Sequence, residues 1–71
     1  MTVTEVLPWT HYRWVARSTY GFVLSGTVTL VLPLSRDDVE EHLLNRAAHM
    51  AVELSLPWNP FCVALAFKPI P

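Results

Sequence analysis

The chain has 71 residues and a net charge of −1, and it is 52% hydrophobic but only 15% charged. This length supports one domain, and the near-neutral charge argues against a strong general attraction to nucleic acid or anionic membranes. The single cysteine, Cys62, excludes a disulfide within one chain and favours a reducing, cytoplasmic compartment. A domain this small buries only about 60% of its unfolded surface. The apolar surplus therefore predicts self-association.

The first 35 residues predict neither a signal peptide nor a membrane span. Glu5 interrupts the N-terminus, where no basic region precedes an apolar run, and residues 1–8 are predicted as an extended lead-in. Residues 18–35 are 18 residues without a charge, near the lower limit for a spanning helix. Their glycines, Pro33 and β-branched alternation favour a hairpin instead.

Residues 10–34 are predicted to form a β-hairpin. Alternation in the first strand places Tyr12, Trp14 and Ala16 on one face and His11, Arg13, Val15 and Arg17 on the other. Ser25-Gly26 is predicted as a two-residue turn between residues 22–24 and 27–32, and Pro33 ends the second strand. Residues 18–21 are either a bulge inside a longer first strand or a true break.

Residues 35–55 are predicted to form an amphipathic helix. Ser35 is the N-cap and Asp38 completes an S-x-x-D capping box. At about 100° per residue, the apolar side chains form one broad stripe: Val39, Leu43, Leu44, Ala47, Ala48, Met50, Ala51 and Leu54. Pro57 ends the helix because it pushes the preceding residue out of the α region. Glu40 falls in the apolar sector, either as a first-turn residue that reaches water or as a buried anchor for a partner's arginine.

A Pro/Trp loop at residues 56–60 is predicted to lead into the last strand, residues 61–68, and a tail, residues 69–71. Phe61, Val63, Leu65 and Phe67 share one side of that strand. The order β-β-α-β predicts an α+β fold, a three-stranded, mainly antiparallel sheet with one amphipathic helix packed on one face. The last strand is expected beside the first, with pairing to the second as the alternative. The sheet face without a helix is the predicted dimer surface.

The polar side chains predict no catalytic residue, no cofactor and no metal. His42 and His49 lie seven residues apart, roughly 10 Å along a helix, which is too far to hold one ion. Adding His11 and Cys62 gives no zinc-like spacing. Cys62 lies in an apolar alternating run, so it is predicted to be an inert buried thiol rather than a nucleophile.

Aromatic residues are the predicted contacts with a second copy or another protein: Trp9, Tyr12, Trp14, Trp58, Phe61 and Phe67. Trp14 is also the tryptophan that best fits the core. Trp9 and Trp58 flank prolines in predicted loops, where they are either interface anchors or lids on the core. These features predict a small non-enzymatic protein that forms a homo-oligomer, with a dimer favoured, and acts by binding another protein. In size and composition the chain is similar to the short α+β accessory proteins of bacterial viruses, a resemblance that transfers no site residue.

The alternative function is nucleic-acid binding. His11, Arg13 and Arg17 share one strand face and could contact phosphates, with Tyr12 or Trp14 nearby for stacking. A dimer would double this basic patch. The simpler interpretation is a solvated strand face whose long cations protect against edge pairing.

Overall fold

The strand β1 (His11–Ser18) lies at the centre of the sheet and pairs antiparallel with both β2 (Val23–Thr29) and β3 (Val63–Pro69). The helix α1 (Arg36–Glu53) connects β2 to β3, and a short 3₁₀ helix, Pro60–Cys62, precedes β3. The computed structural model describes residues 5–71. The predicted fold class is confirmed, as an α+β domain with the order β-β-α-β and the sheet order β2-β1-β3. The last strand lies beside the first, so the sheet is wholly antiparallel.

The predicted lead-in, residues 1–8, is described only from Glu5 onward, and residues 1–4 lie outside the described part of the chain. Val6 forms an isolated antiparallel bridge with Ser35. The Leu7 N–H donates to the Leu34 carbonyl oxygen at 2.9 Å. These two contacts hold the lead-in beside the start of α1.

The β1–β2 turn is at Thr19-Tyr20-Gly21, so the prediction of a turn at Ser25-Gly26 was wrong. The Gly21 N–H donates to the Ser18 carbonyl at 3.1 Å, and the Ser18 N–H donates to the Phe22 carbonyl at 2.9 Å. Gly21 has φ of 98°, a left-handed conformation that glycine adopts without a steric penalty. This is a three-residue hairpin loop closed by a left-handed residue. Residues 18–21 are therefore a true break rather than a bulge.

Gly26 lies inside β2 because the neighbouring strand brings Trp14 against it. The two residues are direct cross-strand partners, and a Cβ built on Gly26 would lie 3.3 Å from the Trp14 ring atom Cζ2. A glycine within a strand commonly marks such a close approach. The predicted strand over residues 27–32 is also corrected, because β2 ends at Thr29 and both Val31 and Leu32 are exposed.

The helix α1 begins as its sequence predicts and ends before Pro57 is reached. The Ser35 hydroxyl accepts a hydrogen bond from the Asp38 N–H at 3.3 Å. At the other end, the Leu56 N–H donates to the Ala51 carbonyl and the Ser55 N–H to the Val52 carbonyl. Ser55 has φ of 57°, so the helix closes with a Schellman motif around a left-handed residue.

Replacing Ser35 with alanine should lower the free energy of unfolding by about 1 kcal/mol, because the Asp38 N–H loses its only side-chain acceptor at the helix start. Ser35→Thr keeps a hydroxyl and should lose much less. Urea denaturation followed by circular dichroism measures both. Equal stability of the alanine variant and the parent would show that the cap contributes nothing.

The core lies between α1 and one face of the sheet. Its buried members come from β1, β2, the residue after β2 and the helix: Tyr12, Trp14, Ala16, Leu24, Val28, Leu30, Val39, Leu43, Ala47 and Ala51. The helix stripe is confirmed except at its end, where Leu54 is 59% exposed because the helix has already closed. Burial raises the pKa of the Tyr12 phenol, whose hydroxyl donates to the Trp9 carbonyl at 3.2 Å.

The last strand begins at Val63, two residues later than predicted. Asn59 accepts a hydrogen bond from the Phe61 N–H and caps the 3₁₀ helix. Phe61 therefore leaves the alternation of β3 and is 96% exposed, whereas Val63, Leu65 and Phe67 pack against the core. Pro69, predicted in the tail, is the last residue of β3. Among residues 5–71, no helix has the length and apolar character needed to cross a membrane.

Candidate functional site

The uncovered sheet face is the side of the sheet opposite α1. Directly paired residues in an antiparallel sheet share a face, so the register defines its members. They are His11, Arg13, Val15 and Arg17 on β1, Val23, Ser25, Thr27 and Thr29 on β2, and Ala64, Ala66 and Lys68 on β3. All of them are exposed apart from Val15, which is half-buried. This face is therefore exposed to solvent and open to a partner.

The uncovered sheet face is basic. Register places Lys68 beside Arg13, and Arg17 lies on the same side of β1. The acidic residues of the described chain lie on α1, apart from Glu5, which lies in the lead-in. Within residues 5–71 the one ion pair joins two helix residues, His49 and Glu53, at 3.3 Å. The three cations of the sheet thus face solvent without carboxylates, and the protein is electrostatically two-sided.

The three residues predicted to contact anions all lie on the uncovered sheet face: His11, Arg13 and Arg17. The His11 Nδ1 lies 2.7 Å from the Thr29 hydroxyl, which holds the imidazole against β2. Tyr12 and Trp14 cannot stack a base beside these cations, contrary to the prediction. Their rings point to the opposite face, where both are at most 1% exposed.

The six aromatic residues predicted at an interface are dispersed. Tyr12 and Trp14 are core residues, and the Tyr12 and Phe67 rings meet edge to face with their centroids 5.7 Å apart. Trp58 and Phe67 are half-buried and pack against that core. Trp9 is 45% exposed and Phe61 is 96% exposed, at opposite ends of the sheet. Trp9 and Phe61 thus keep the ring surface that a partner could contact.

A groove of about 570 Å³ runs between β2 and the polar side of α1. Its floor is Trp14 and Gly26, and its helix wall consists of His42, Asn45, Arg46, His49, Met50 and Glu53. The indole Nε1–H of Trp14 is buried there without an acceptor. A buried unpaired donor costs about 1–3 kcal/mol. The missing side chain at Gly26 and the polar residues of the helix wall make the groove the second candidate surface.

Catalytic geometry is not visible in the polar groups of residues 5–71. No three His, Cys, Asp or Glu side chains in this range come close enough to hold a metal ion. His42 and His49 line the same groove, but His49 is paired with Glu53. Cys62 is a half-buried free thiol at the end of the 3₁₀ helix. Glu40 is exposed and reaches water, as predicted, but it lies just beyond the first turn, whose acidic residues are Asp37 and Asp38.

Sequence reasoning found three of the four basic residues on the uncovered sheet face and missed Lys68. Lys68 lies on another strand, and only the pairing register brings it beside Arg13. The groove was missed for a similar reason, because Gly26 was assigned to a turn. The choice between these two surfaces rests on their geometry and charge, because no protein-family model, no curated protein and no solved structure matches the chain.

Proposed function

We propose that this chain is a small non-enzymatic protein that self-associates and acts by binding another protein. The uncovered sheet face is the binding surface, and an acidic surface is the partner that suits it. The observation that carries the proposal is the grouping of Arg13, Arg17 and Lys68 on one exposed face without a carboxylate. Complementary charge of this kind steers a partner and selects against basic surfaces.

The composition of the uncovered sheet face favours a protein partner over nucleic acid. Val15, Ala64 and Ala66 form a small apolar centre between the cations, as in the partly apolar core of a protein interface. Sheets that bind single strands present aromatic rings on which bases stack. On this sheet the paired residues of the open face include no aromatic side chain.

Self-association is supported by the apolar side chains that α1 leaves in solvent. Val31 is 99% exposed, Phe61 96% and Val52 71%, in a chain whose core is closed by a single helix. They lie on three different segments of the chain, so the support is the total apolar surface left in solvent and not a single patch. Cys62 is a half-buried free thiol, which is typical of proteins in a reducing compartment. We therefore propose that the protein binds its partner in the cytoplasm.

Charge reversal on the sheet tests the proposal. Arg13→Glu with Arg17→Glu should abolish capture of the partner from a nuclease-treated lysate of the native host, because the face then repels an acidic surface. Both side chains are exposed, so the fold should be unchanged by circular dichroism. Mass spectrometry of the retained proteins identifies the partner.

The matched control reverses two arginines of α1 instead. Arg36→Glu with Arg46→Glu changes the net charge by the same amount but leaves the uncovered sheet face intact. This variant should retain the partner. A partner that is held equally by the sheet variant and the parent would contradict the proposal.

Nucleic-acid binding is the second candidate, and the addition of Lys68 to His11, Arg13 and Arg17 is the observation that favours it. A salt titration separates the two functions. Phosphate contacts release counterions, so affinity for a DNA duplex or a single strand should fall steeply with salt. Absence of such binding even at low salt would remove this second candidate.

A further inference from the structure

The strand β2 leaves a row of backbone hydrogen-bonding groups unused at the edge of the sheet. The Ser18 N–H donates to the Phe22 carbonyl, and the Leu30 N–H donates to the Thr10 carbonyl. Along an antiparallel strand, every second residue forms backbone hydrogen bonds with a given neighbouring strand, and the residues between them point their N–H and C=O groups the other way. Even-numbered residues from Phe22 to Leu30 therefore face β1, whereas the N–H and C=O groups of the odd-numbered residues point away from the sheet. Those residues, which we call the free row, are Val23, Ser25, Thr27 and Thr29.

The free row lacks the devices that usually protect a sheet edge. Proteins protect edges with charged side chains, prolines or bulges. The strand β2 reads VLSGTVT, which contains neither a charge nor a proline. The other edge strand, β3, contains Lys68 and ends in Pro69, which has no N–H. Of the two edge strands described, β2 is therefore the one with neither a charge nor a proline along its free side.

We propose that β2 of one copy pairs antiparallel with β2 of a second copy, about a two-fold axis at Gly26. The result is a dimer with one continuous six-stranded sheet. This proposal rests on the self-association part of the proposed function and names the surface responsible for it. The free row is symmetric about Gly26, with Ser25 and Thr27 one residue away and Val23 and Thr29 three residues away. Each free donor then meets an acceptor, as an isologous contact requires.

The side chains of the free row suit this pairing. Ser25 would lie opposite Thr27 of the partner subunit, and hydroxyl side chains are favourable cross-strand neighbours. Gly26 would lie on the axis at a position without hydrogen bonds to the partner, where the two Cα atoms approach to about 4.5 Å. Without side chains, two glycines meet there free of a clash, while the Trp14 ring lies beneath.

The groove beside β2 favours a second copy over an unrelated strand. Its helix wall carries both signs, with Arg46 in the middle and Glu53 at the end, so two copies do not repel as like charges. The two-fold axis also reverses one wall relative to the other, which brings the Glu53 end of one helix toward the His42 end of its partner. In addition, the continuous sheet would join the two basic faces into one surface, on the same side of the dimer.

Hydrogen exchange of individual amides, followed by NMR, tests the pairing. In a monomer the N–H groups of the free row point to solvent and exchange quickly, whereas the even-numbered amides of β2 are bonded to β1. The dimer should protect the amides of Val23, Ser25, Thr27 and Thr29, and dilution should remove that protection. Unprotected amides in a sample that sedimentation shows to be dimeric would place the dimer contact elsewhere and overturn the proposal, while leaving the proposed function intact.

Two lysine variants provide a matched comparison. Thr27→Lys places a charge beside the axis and should convert the dimer to a monomer, with loss of free-row protection. Ala64→Lys places the same charge on the same face of β3 and should leave the dimer unchanged. Both positions are exposed, so folding should be retained in each. A dimeric Thr27→Lys variant, or free-row amides that become protected only when a different protein is added, would overturn the proposal.

Discussion

Replacing Trp14 with alanine should leave most of the protein molecules unfolded at room temperature. Trp14 is 1% exposed at the middle of the central strand, between its cross-strand partners Gly26 and Phe67. Truncation of a buried tryptophan costs about 3–5 kcal/mol. A domain is typically stable by roughly 0.05–0.15 kcal/mol per residue, so this loss is comparable with the whole stability of a chain this small. Far-UV circular dichroism and urea denaturation measure the result.

Two controls separate the loss of packing from the loss of an aromatic ring. Phe61→Ala removes a ring that is 96% exposed and should change the free energy of unfolding by no more than about 0.5 kcal/mol. Trp14→Phe keeps a ring in the core and removes the unpaired Nε1–H, so it should be much less harmful than alanine. A Trp14→Ala variant that unfolds cooperatively at the parent's urea midpoint would contradict this description of the core.

Gly26→Val should destabilise the chain by about 1–3 kcal/mol, the usual cost of overpacking a core. A Cβ at this position would lie 3.3 Å from Cζ2 and 3.4 Å from Nε1 of Trp14. The two further methyl carbons of valine need still more room, and the buried indole has little freedom to provide it. The urea midpoint of the variant should fall clearly below that of the parent.

Ser25→Val is the control for the glycine variant, because Ser25 is exposed on the other face of the same strand. Valine is favoured in strands, so this variant should be as stable as the parent or more stable. If Gly26→Val behaved like Ser25→Val, Gly26 would not lie against Trp14. The comparison therefore tests the register of β1 and β2 as well as the packing.

Patterns within one element were sufficient to predict most of the fold. The Ser35 cap and the spacing of apolar residues predicted α1, and strict alternation predicted that Tyr12 and Trp14 share a face. The cap and the alternation depend on neighbours in sequence, which a single sequence contains. Pairing of the last strand with the first was preferred over pairing with the second, and the structure has the first arrangement.

Features that depend on contacts between elements could not be predicted from the sequence. Ser25-Gly26 matches a turn locally, but Gly26 is required by the Trp14 ring of another strand. In the sequence, Phe61 continues the alternation of β3. In the structure, Asn59 caps a 3₁₀ helix that contains Phe61, and the Phe61 side chain points to solvent. For the candidate site, the cations of β1 were predicted, whereas Lys68 joins them only through the register of β1 and β3.

The central claim is that one helix is too small to cover the sheet of this protein, so that a second copy is needed. Sedimentation equilibrium over a range of protein concentrations tests this claim most directly. If a second copy covers the open edge of the sheet, the apparent mass should rise with concentration from the 8.1 kDa of one chain toward twice that value. A mass that stays at 8.1 kDa up to high micromolar concentration would show a self-sufficient monomer and would contradict the account.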